Sequence, residues 1–339
     1  MKDDATVDKY LLPVELKVKG LLDFVKIKWG LIMRKEALLY LHEVCNYSCS
    51  YCMLGDSNYK RSESKANTRE RTIKIIDFFN KRKEWSILIT GGEPTEHPYF
   101  IELVEELTKE NYIRLDTNNS MDGDKLEEFI SRINSNRIEY IQCSLHEIDE
   151  TPDRLEQYVD RIKKLKENGH KVFVTYVATP KRIPSIPHLY NRFYENNIPF
   201  VIVPLRTPEY PKSYTEKERE ILDQYMSSSI HRGYLEIDER KVLGEKCNSD
   251  HTRININGIN GNIRGCWRSR KSIGNIYDDI LNLSETHKEC ELDSCTYYYE
   301  PHMEVEGLLK KDIANILNLN KRYEKDLYIQ FIENSIRSQ

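Results

Sequence analysis

Three cysteines near the start of the chain have the spacing of a metal site. Cys45, Cys49 and Cys52 form a CxxxCxxC pattern directly after the apolar run ALLYLHEV, which is typical of a β-strand. Thiolates this close together on one loop can bind three irons of a four-iron cluster and leave the fourth iron open. An open coordination position distinguishes a catalytic metal site from a closed structural one. We therefore expect metal chemistry at this loop.

A zinc-binding loop is the alternative interpretation of the same three residues. Structural zinc sites use four protein ligands, and His42 is the candidate fourth ligand that lies close in sequence. The residues alone leave both metals open, and a measurement of bound iron and zinc would separate them.

A second set of cysteines lies in the last third of the chain: Cys247, Cys266, Cys290 and Cys295. The sequence has no signal-peptide pattern, so we expect a reducing compartment in which cysteines serve as ligands or free thiols. Four thiolates can complete one closed iron–sulfur cluster, and a structural zinc site is the alternative. The surrounding segment is short and rich in turns, so a metal would help to keep it folded.

Six strand-like runs alternate with helical patterns between residues 37 and 235. The runs cover residues 37–43, 85–90, 113–117, 139–145, 171–177 and 200–205. This alternation predicts parallel strands joined by right-handed crossovers, either as an open doubly wound sheet or as a partial barrel. Both arrangements gather function at the carboxyl ends of the strands, where the first cysteines lie.

Three further segments are predicted around this α/β core. Residues 1–36 form a lead-in that packs on the main domain, with a membrane-surface helix as the alternative. Residues 236–302 contain the run TRININGINGNIRGCW, which predicts a hairpin turning at 257–261. Residues 303–339 return to helical spacing and predict a helical tail.

The composition is that of a soluble globular enzyme rather than a nucleic-acid-binding or membrane protein. The chain has 339 residues, 39% of them hydrophobic, and a formal net charge of -4. That charge does not favour a polyanionic partner, so we expect no nucleic acid. Because no apolar run approaches the roughly 20 residues of a membrane-spanning helix, we expect no transmembrane segment and a cytoplasmic location.

A second motif gives the first cysteines a family context. Gly91, Gly92, Glu93 and Pro94 follow the second predicted strand, and together with the CxxxCxxC pattern they resemble the radical S-adenosyl-L-methionine (SAM) superfamily over residues 37–235. The resemblance implies a partial (β/α)6 TIM-like barrel and a 4Fe–4S cluster whose open iron binds SAM. It also implies reductive cleavage of SAM to a 5′-deoxyadenosyl radical, fed by an electron donor such as flavodoxin or ferredoxin.

The resemblance assigns SAM contacts to residues at the first strand ends. Tyr51 matches an aromatic residue that the family keeps against the adenine. Gly91 and Gly92 would let the backbone approach the SAM amino group, since no Cβ intervenes. Glu93 would accept hydrogen bonds, and Pro94 would stiffen the turn.

Two later strand ends match the family pattern in part. Asn118 lies where relatives often have a Thr-Asn-Gly run, although Asn119 replaces the glycine. Ser144 matches a Ser-x-Asp run, with His146 in the place of the Asp. Side chains alternate along a strand, so Cys143 should face the helices if Ser144 faces the site. We interpret Cys143 as a small core residue, and the alternative is a hydrogen-atom donor.

The late cysteines resemble the opening of SPASM and twitch domains, which carry auxiliary iron–sulfur clusters. Thirteen residues separate Cys247 from Gly261, and four more precede Cys266. A full SPASM domain has more cysteines, so the resemblance implies a shortened, twitch-like module with one auxiliary 4Fe–4S cluster. The CxxxxC spacing of Cys290 and Cys295 departs from the familiar pattern. A closed cluster would pass electrons rather than bind substrate.

These observations predict hydrogen-atom abstraction from a small polar or sugar-like substrate, with net oxidation assisted by the auxiliary cluster. Arg264, Arg268 and Arg270 near Cys266 favour an anionic substrate, and a solvated basic loop is the alternative. A second candidate is epimerisation or crosslinking of a ribosomally synthesised peptide, although the lead-in is shorter than a separate leader-peptide-binding domain. The candidate from another class is a zinc-stabilised binding module without catalysis.

Overall fold

The computed structural model describes residues 34–52, 64–226, 235 and 240–295. Most of the predicted lead-in, and all of the predicted tail at 303–339, lie outside the described residues. Both segments therefore stay predictions, as does the division of the chain into domains.

Fourteen β-strands occur in the described residues and form one large sheet and two small ones. The strands are β1 (Glu36–Tyr40), β2 (Ser86–Thr90), β3 (Tyr112–Thr117), β4 (Ile138–Leu145), β5 (Val172–Ala178), β6 (Phe200–Pro204), β7 (Arg240–Lys241), β8 (Lys246–Cys247), β9 (Arg253–Asn257), β10 (Asn262–Arg264), β11 (Gly274–Asn275), β12 (Ile280–Leu281), β13 (Lys288–Glu289) and β14 (Ser294–Cys295).

Six α-helices in the described part of the chain follow the first six strands in turn. The helices are α1 (Arg69–Arg82), α2 (Phe100–Leu107), α3 (Gly123–Arg132), α4 (Pro152–Glu167), α5 (Ile186–Glu195) and α6 (Glu216–Tyr225). Each predicted helix is present. The C-terminus of α4 is followed by Gly169 at φ +84°, a left-handed conformation that glycine adopts without strain.

The last of these helices is shorter than its sequence pattern. Thr215 begins α6 through a capping box with Glu218, as the Thr-x-x-Glu spacing predicts. The helix ends at Tyr225, and Met226 is already extended at φ -77° and ψ 105°. The helical pattern in the sequence runs from Thr215 into three serines at 227–229, and serine is a weak helix former.

Strands β1 to β6 lie side by side in chain order, and every neighbouring pair is parallel. A doubly wound sheet reverses its strand order at a switch point, and this run has no reversal. Right-handed crossovers in one direction place the helices on one face and curl the sheet. The partial (β/α)6 TIM-like barrel is therefore confirmed, and the doubly wound alternative was wrong.

The predicted C-terminal hairpin is also present and extends the same sheet. Strands β9 and β10 pair antiparallel, and β9 lies parallel to β1 with Tyr40 opposite Asn257. With β11 and β12 the sheet reaches ten strands, in the order β12-β11-β10-β9-β1-β2-β3-β4-β5-β6. Strand β1 therefore has a neighbour on each side, which matters for the loop that follows it.

Two short sheets carry the rest of the described C-terminal segment. Strand β13 pairs with β8, and β14 pairs with β7, each through two residues. None of the helices in the described ranges is long and apolar enough to cross a membrane.

Candidate functional site

The loop with the first three cysteines leaves the sheet through paired backbone. Beyond the ends of β1 and β2, the Leu41 N–H donates to the Thr90 carbonyl (2.8 Å), and the Gly92 N–H donates to the His42 carbonyl (2.7 Å). The Glu93 N–H continues this pairing to the Val44 carbonyl at 2.8 Å. The backbone is thus fixed up to the residue before Cys45. The pairing of the backbone beyond β1 and β2 therefore sets where Cys45 lies.

Inside the loop, the three predicted cluster ligands are partly buried cysteines. The Tyr47 N–H donates to the Cys45 Sγ (3.4 Å), and the Cys52 N–H donates to the Cys49 carbonyl (3.2 Å). Cys45, Cys49 and Cys52 are all of intermediate burial. They lie beyond the C-terminal end of β1, at the edge where parallel α/β sheets place their sites.

The two glycines of the GGEP motif serve the packing of this loop. A Cβ at Gly92 would overlap with the carbonyls of Val44 and Glu43, and a Cβ at Gly91 would lie 2.5 Å from the His42 carbonyl. Our sequence expectation was that the missing Cβ leaves room for SAM. In the structure that space is filled by the backbone of residues 42–44. The glycines are needed because two segments of the backbone are in direct contact there.

Gly258 makes the matching contact on the other side of β1. Its N–H donates to the Tyr40 carbonyl (2.7 Å), and a Cβ there would overlap with the Leu41 carbonyl. The segment that leads to the cysteines therefore runs between the GGEP turn and the turn after β9. A residue of the C-terminal hairpin thus belongs to the frame of the first site.

Glu93 connects the turn after β2 to the turn after β3. Its carboxylate is buried and accepts from the Thr95 N–H (3.0 Å), the Thr117 Oγ1 (2.7 Å) and the Asn118 N–H (2.6 Å). Burial raises the pKa of Glu93, and these hydrogen bonds partly offset that rise. With both oxygens engaged inside the protein, Glu93 holds two strand ends together. A contact with SAM stays a prediction.

Asn118 and Asn119 place the turn after β3 against the cysteine loop. The Asn118 Nδ2 donates to Asn46 Oδ1 (2.7 Å), so this predicted site residue does reach the loop. Asn119 has φ +58°, the left-handed region that asparagine tolerates better than most residues. This backbone conformation explains why asparagine can stand where the resembling family has glycine.

Along β4, the alternation expected for Cys143 and Ser144 is present. Ser144 is half-buried and shares a hydrogen bond with Thr175 Oγ1 (3.2 Å). Cys143 is fully buried, lies near Tyr158 of α4, and has a pKa raised by burial. A thiol on the helix side of the sheet fits the interpretation as a core residue. A hydrogen donor would have to face the opposite side.

His42 is occupied elsewhere and does not complete a zinc site in this geometry. It is fully buried, its Nε2 lies 3.0 Å from the Glu93 carbonyl oxygen, and its ring packs edge-on against His97. Burial lowers the pKa of each imidazole to about 4, so both are neutral at pH 7. A neutral, internally bonded His42 stabilises the GGEP turn.

The donor set of the first loop fits a cluster better than a single ion. Across the parts of the chain that the structure describes, no three His, Cys, Asp or Glu side chains converge closely enough to hold one metal ion. A four-iron cluster spaces its thiolates farther apart because each binds a different iron. Three thiols without an adjacent fourth ligand in the described residues leave one iron open.

Sequence reasoning marked His146 but missed Asp149 and Arg182, which also hold the cysteine loop. Tyr47 donates to Asp149 (2.8 Å), and the Tyr51 hydroxyl lies 2.8 Å from His146 Nδ1. Arg182, which is 3% exposed, donates to the same Tyr51 hydroxyl at 2.8 Å. No local pattern marks these contacts, since they join residues far apart in the chain.

The late cysteines gather only in part. Cys247 ends β8, Cys266 follows β10, and Cys290 follows β13. The pKa of the Cys290 thiol is raised by burial, with further contributions from Cys247 and Cys266. These three thiols are therefore neighbours. Cys295 is buried in β14, and its membership of a shared cluster stays a prediction.

Comparison with known proteins agrees with this geometry. The model of the Radical SAM superfamily matches residues 39–185, a range that contains the cysteine loop and the GGEP turn. These residues form a radical SAM domain. The family implies a 4Fe–4S cluster and SAM as cofactors, and its members are enzymes.

Two curated proteins match parts of the chain. "Molybdenum cofactor biosynthesis protein moc-5" of Caenorhabditis elegans is 23% identical over 123 residues, which are 36% of this chain and 20% of that protein. "GTP 3',8-cyclase" of Actinobacillus succinogenes is 29% identical over 76 residues, 22% of this chain and 23% of that protein. The match spans about a fifth of each relative's length.

Two solved structures are similar to this chain at low identity. Native anSMEcpe with bound AdoMet has a TM-score of 0.50 and 13% identity, covering 88% of this chain and 99% of that chain. SuiB of Streptococcus suis bound to its precursor peptide SuiA has a TM-score of 0.48 and 19% identity, covering 82% and 71%. At such identity the likeness concerns the fold alone.

Proposed function

We propose that this chain is a radical SAM enzyme that removes a hydrogen atom from an unactivated C–H bond of a small polar or sugar-like molecule. The observation that carries the proposal is the cysteine loop itself. It lies at the C-terminal edge of six parallel strands, held in backbone contact with the GGEP turn. This is where the fold concentrates function.

In this proposal Cys45, Cys49 and Cys52 hold the first cluster. When bound, the reduced cluster and SAM supply a carbon radical strong enough to abstract hydrogen from carbon. Tyr51 belongs to this loop, and two hydrogen bonds to its hydroxyl position the ring. Asn118, in the turn after β3, contacts the same loop. These side chains orient the cofactor and limit the access of water.

Polar side chains on the inner face of the barrel support a polar substrate. In β1 to β4, Leu39, Ile89, Leu115 and Ile141 are buried on the helix side. The residue that follows each of them in its strand is half-buried and faces the inside of the barrel: Tyr40, Thr90, Asp116 and Gln142. Register places Tyr40 beside Thr90, and Asp116 beside Gln142. Hydroxyl, carboxylate and amide groups recognise a substrate rich in hydroxyl or amine groups.

The late cysteines would hold an auxiliary 4Fe–4S cluster on Cys247, Cys266, Cys290 and Cys295. The electrostatic influence of Cys247 and Cys266 on the Cys290 thiol supports the assignment. Such a cluster would accept the electron of the substrate radical and make the reaction a net oxidation. A flavodoxin or ferredoxin would supply the electron that starts each turnover.

Anaerobic reconstitution tests the proposal directly. Protein reconstituted with iron and sulfide should bind about eight irons, as expected for two four-iron clusters, and should form 5′-deoxyadenosine from SAM and reductant. The variant Cys49→Ala should lose about four irons and all of this product. A matched variant, Cys143→Ala, should keep both. Bound zinc without iron in the wild-type protein would overturn the proposal.

Substrate class needs a second assay. Deuterium transfer from candidate substrates into 5′-deoxyadenosine would identify the C–H bond that is attacked. Transfer from small sugars or polyols supports the proposed substrate class. Transfer from a peptide, with none from small molecules, would replace it with peptide modification.

A further inference from the structure

We infer that Arg182 is a positioning residue that locks the cysteine loop onto the sheet through the hydroxyl of Tyr51. This inference rests on the proposed cluster site but is independent of the substrate. It concerns a group that no sequence motif marks and that touches none of the three cysteines.

Arg182 is almost completely buried, with 3% of its surface exposed, and most of its donors are engaged. One Nη1 donates to the Tyr51 hydroxyl (2.8 Å) and to the Val177 carbonyl (3.0 Å), while Nη2 donates to the Leu145 carbonyl (2.7 Å). The Nε donates to the Glu150 carboxylate at 2.5 Å. One guanidinium therefore joins the ends of β4 and β5 to the cysteine loop.

A buried charge of this kind is costly unless it is paired and hydrogen-bonded. Glu150 supplies the opposite charge, and the Tyr176 ring lies 3.9 Å below the guanidinium carbon. Arginine suits this place because its planar fork reaches several acceptors in fixed directions, which a lysine ammonium does not. The Arg182 guanidinium is consequently held in one position, and it holds the Tyr51 hydroxyl in place.

The held part of the loop is the part that carries two thiols. Tyr51 immediately precedes Cys52, and Cys49 lies close enough to contribute to its electrostatics. The Tyr51 hydroxyl also meets His146 Nδ1 at 2.8 Å. Earlier in the loop, Tyr47 donates to Asp149 and Ser50 donates to Glu147 (2.8 and 2.9 Å).

The segment 146–150 thus contacts the loop at three points, and Arg182 fixes that segment through Glu150. The loop backbone before Cys45 is set by the sheet, whereas the positions of Cys49 and Cys52 depend on these side chains. Without the clamp, the sheet and most of the fold would remain, but the second and third thiols would no longer be held in place.

Alkylation of the metal-free protein tests the clamp without any cofactor. Iodoacetamide labelling, followed residue by residue by mass spectrometry, compares Cys49 and Cys52 with Cys247, an equally half-buried thiol far from Arg182 in the sequence. Tyr51→Phe keeps the ring and removes only the hydroxyl. Arg182→Lys keeps the charge and removes the fork.

Both variants should label Cys49 and Cys52 about tenfold or more faster, because losing a hydrogen bond to a charged donor shifts a local opening equilibrium by at least about that factor. Cys247 should keep its rate. The double variant should label more slowly than the product of the two single effects predicts, since both changes remove the contact between Arg182 and the Tyr51 hydroxyl. Arg192→Gln, an exposed arginine paired with Glu156, is the control and should leave all rates unchanged.

Two results would overturn the inference. Unchanged labelling of Cys49 in folded Tyr51→Phe would show that the hydroxyl does not hold the loop. Equal acceleration at every cysteine would show general destabilisation instead. A check on the loaded protein is the electron paramagnetic resonance spectrum of the reduced first cluster, which should broaden in Tyr51→Phe and stay sharp in Arg192→Gln. Because labelling needs no turnover, failure of the proposed activity would leave this test intact.

Discussion

The two cysteine regions rest on very different amounts of secondary structure. The first loop follows β1, which is paired along five residues on each side. In the second set, Cys247, Cys290 and Cys295 lie on or directly after strands of two residues each, and only Cys266 follows a strand of the large sheet, β10. Isolated two-stranded pairings are marginal in water. The first site therefore has a frame that exists without metal.

This difference teaches which part of each site the protein fold supplies. At the first loop, backbone hydrogen bonds, three close-packed glycines and the Arg182 clamp place the thiols. At the second, the short sheets hold the cysteines weakly, and metal binding would contribute directly to folding. Four experiments can break or sharpen this comparison, the first with the largest expected effect.

Substitution of Gly92 by alanine should abolish the first cluster. The added Cβ would overlap with backbone carbonyls of residues 43 and 44, and backbone atoms cannot yield as a flexible side chain can. We expect about 3 kcal/mol of destabilisation and loss of about half of the iron. Gly123→Ala is the control for backbone strain alone: a Cβ there meets nothing within 4 Å, but the φ of +50° costs a side chain about 1–2 kcal/mol, and this variant should keep its iron. Full iron in Gly92→Ala would refute the close-packed frame.

Removal of iron by a chelator should affect the second region more than the first. Hydrogen exchange should accelerate by about tenfold or more in β8 and β13, since their local stability depends on the metal. Amides of β2 and β3, which are bonded on both sides, should change little. Equal acceleration in both regions would show that the barrel also depends on its cluster.

Acid should weaken the first region through His42 and His97. Burial lowers both pKa values from 6.5 to about 4, so the unfolded chain binds more protons between those values. Stability is then complete above about pH 6.5 and is lost as the pH falls towards 4. The titratable groups that face His42 are Glu43, Lys125 and the imidazole of His97.

The expected size of the acid effect is about 2 kcal/mol per histidine between pH 7 and pH 5. Denaturant unfolding at the two pH values measures it, and His97→Gln should reduce the loss by roughly one histidine's share. If His97→Gln loses as much unfolding free energy between pH 7 and pH 5 as the wild-type protein, His97 does not take up a proton on unfolding.

The smallest effect concerns the contact between α1 and the C-terminal hairpin. Arg71 donates to the Ile259 carbonyl (2.6 Å) and lies 4.8 Å from the Tyr277 ring centroid. Arg71→Gln should cost about 1 kcal/mol and loosen β9 and β10 in hydrogen exchange. Lys74→Gln, an exposed residue paired with Glu70 on the same helix, should cost less than about 0.5 kcal/mol. Equal effects would remove Arg71 as a specific link.

Much of the fold was predictable because it depends on local signals. Hydrophobic periodicity located all six strand–helix units. The turn-rich 257–261 segment correctly predicted the β9–β10 hairpin. The parallel pairing of β9 with β1 was not predictable, because strand order in a sheet is a matter of long-range packing rather than of local pattern.

The candidate site divides in the same way. Residue types and spacing predicted Cys45, Cys49 and Cys52, and the GGEP motif was recognised by its letters. The packing of these glycines against the backbone of residues 42–44 was not predicted, and their contact with SAM stays a prediction. Arg182 was missed because it stands 131 residues from Tyr51 and belongs to no motif.

The sequence by itself determined that three thiolates follow a strand, that a glycine-rich turn follows the next, and that strands alternate with helices. These properties are local, and spacing along the chain expresses them. Tertiary structure alone decided that β9 would flank β1, that Glu93 would join two strand ends, and that Arg182 would reach Tyr51. Such contacts depend on which strands become neighbours, and only the burial of the whole core selects that arrangement.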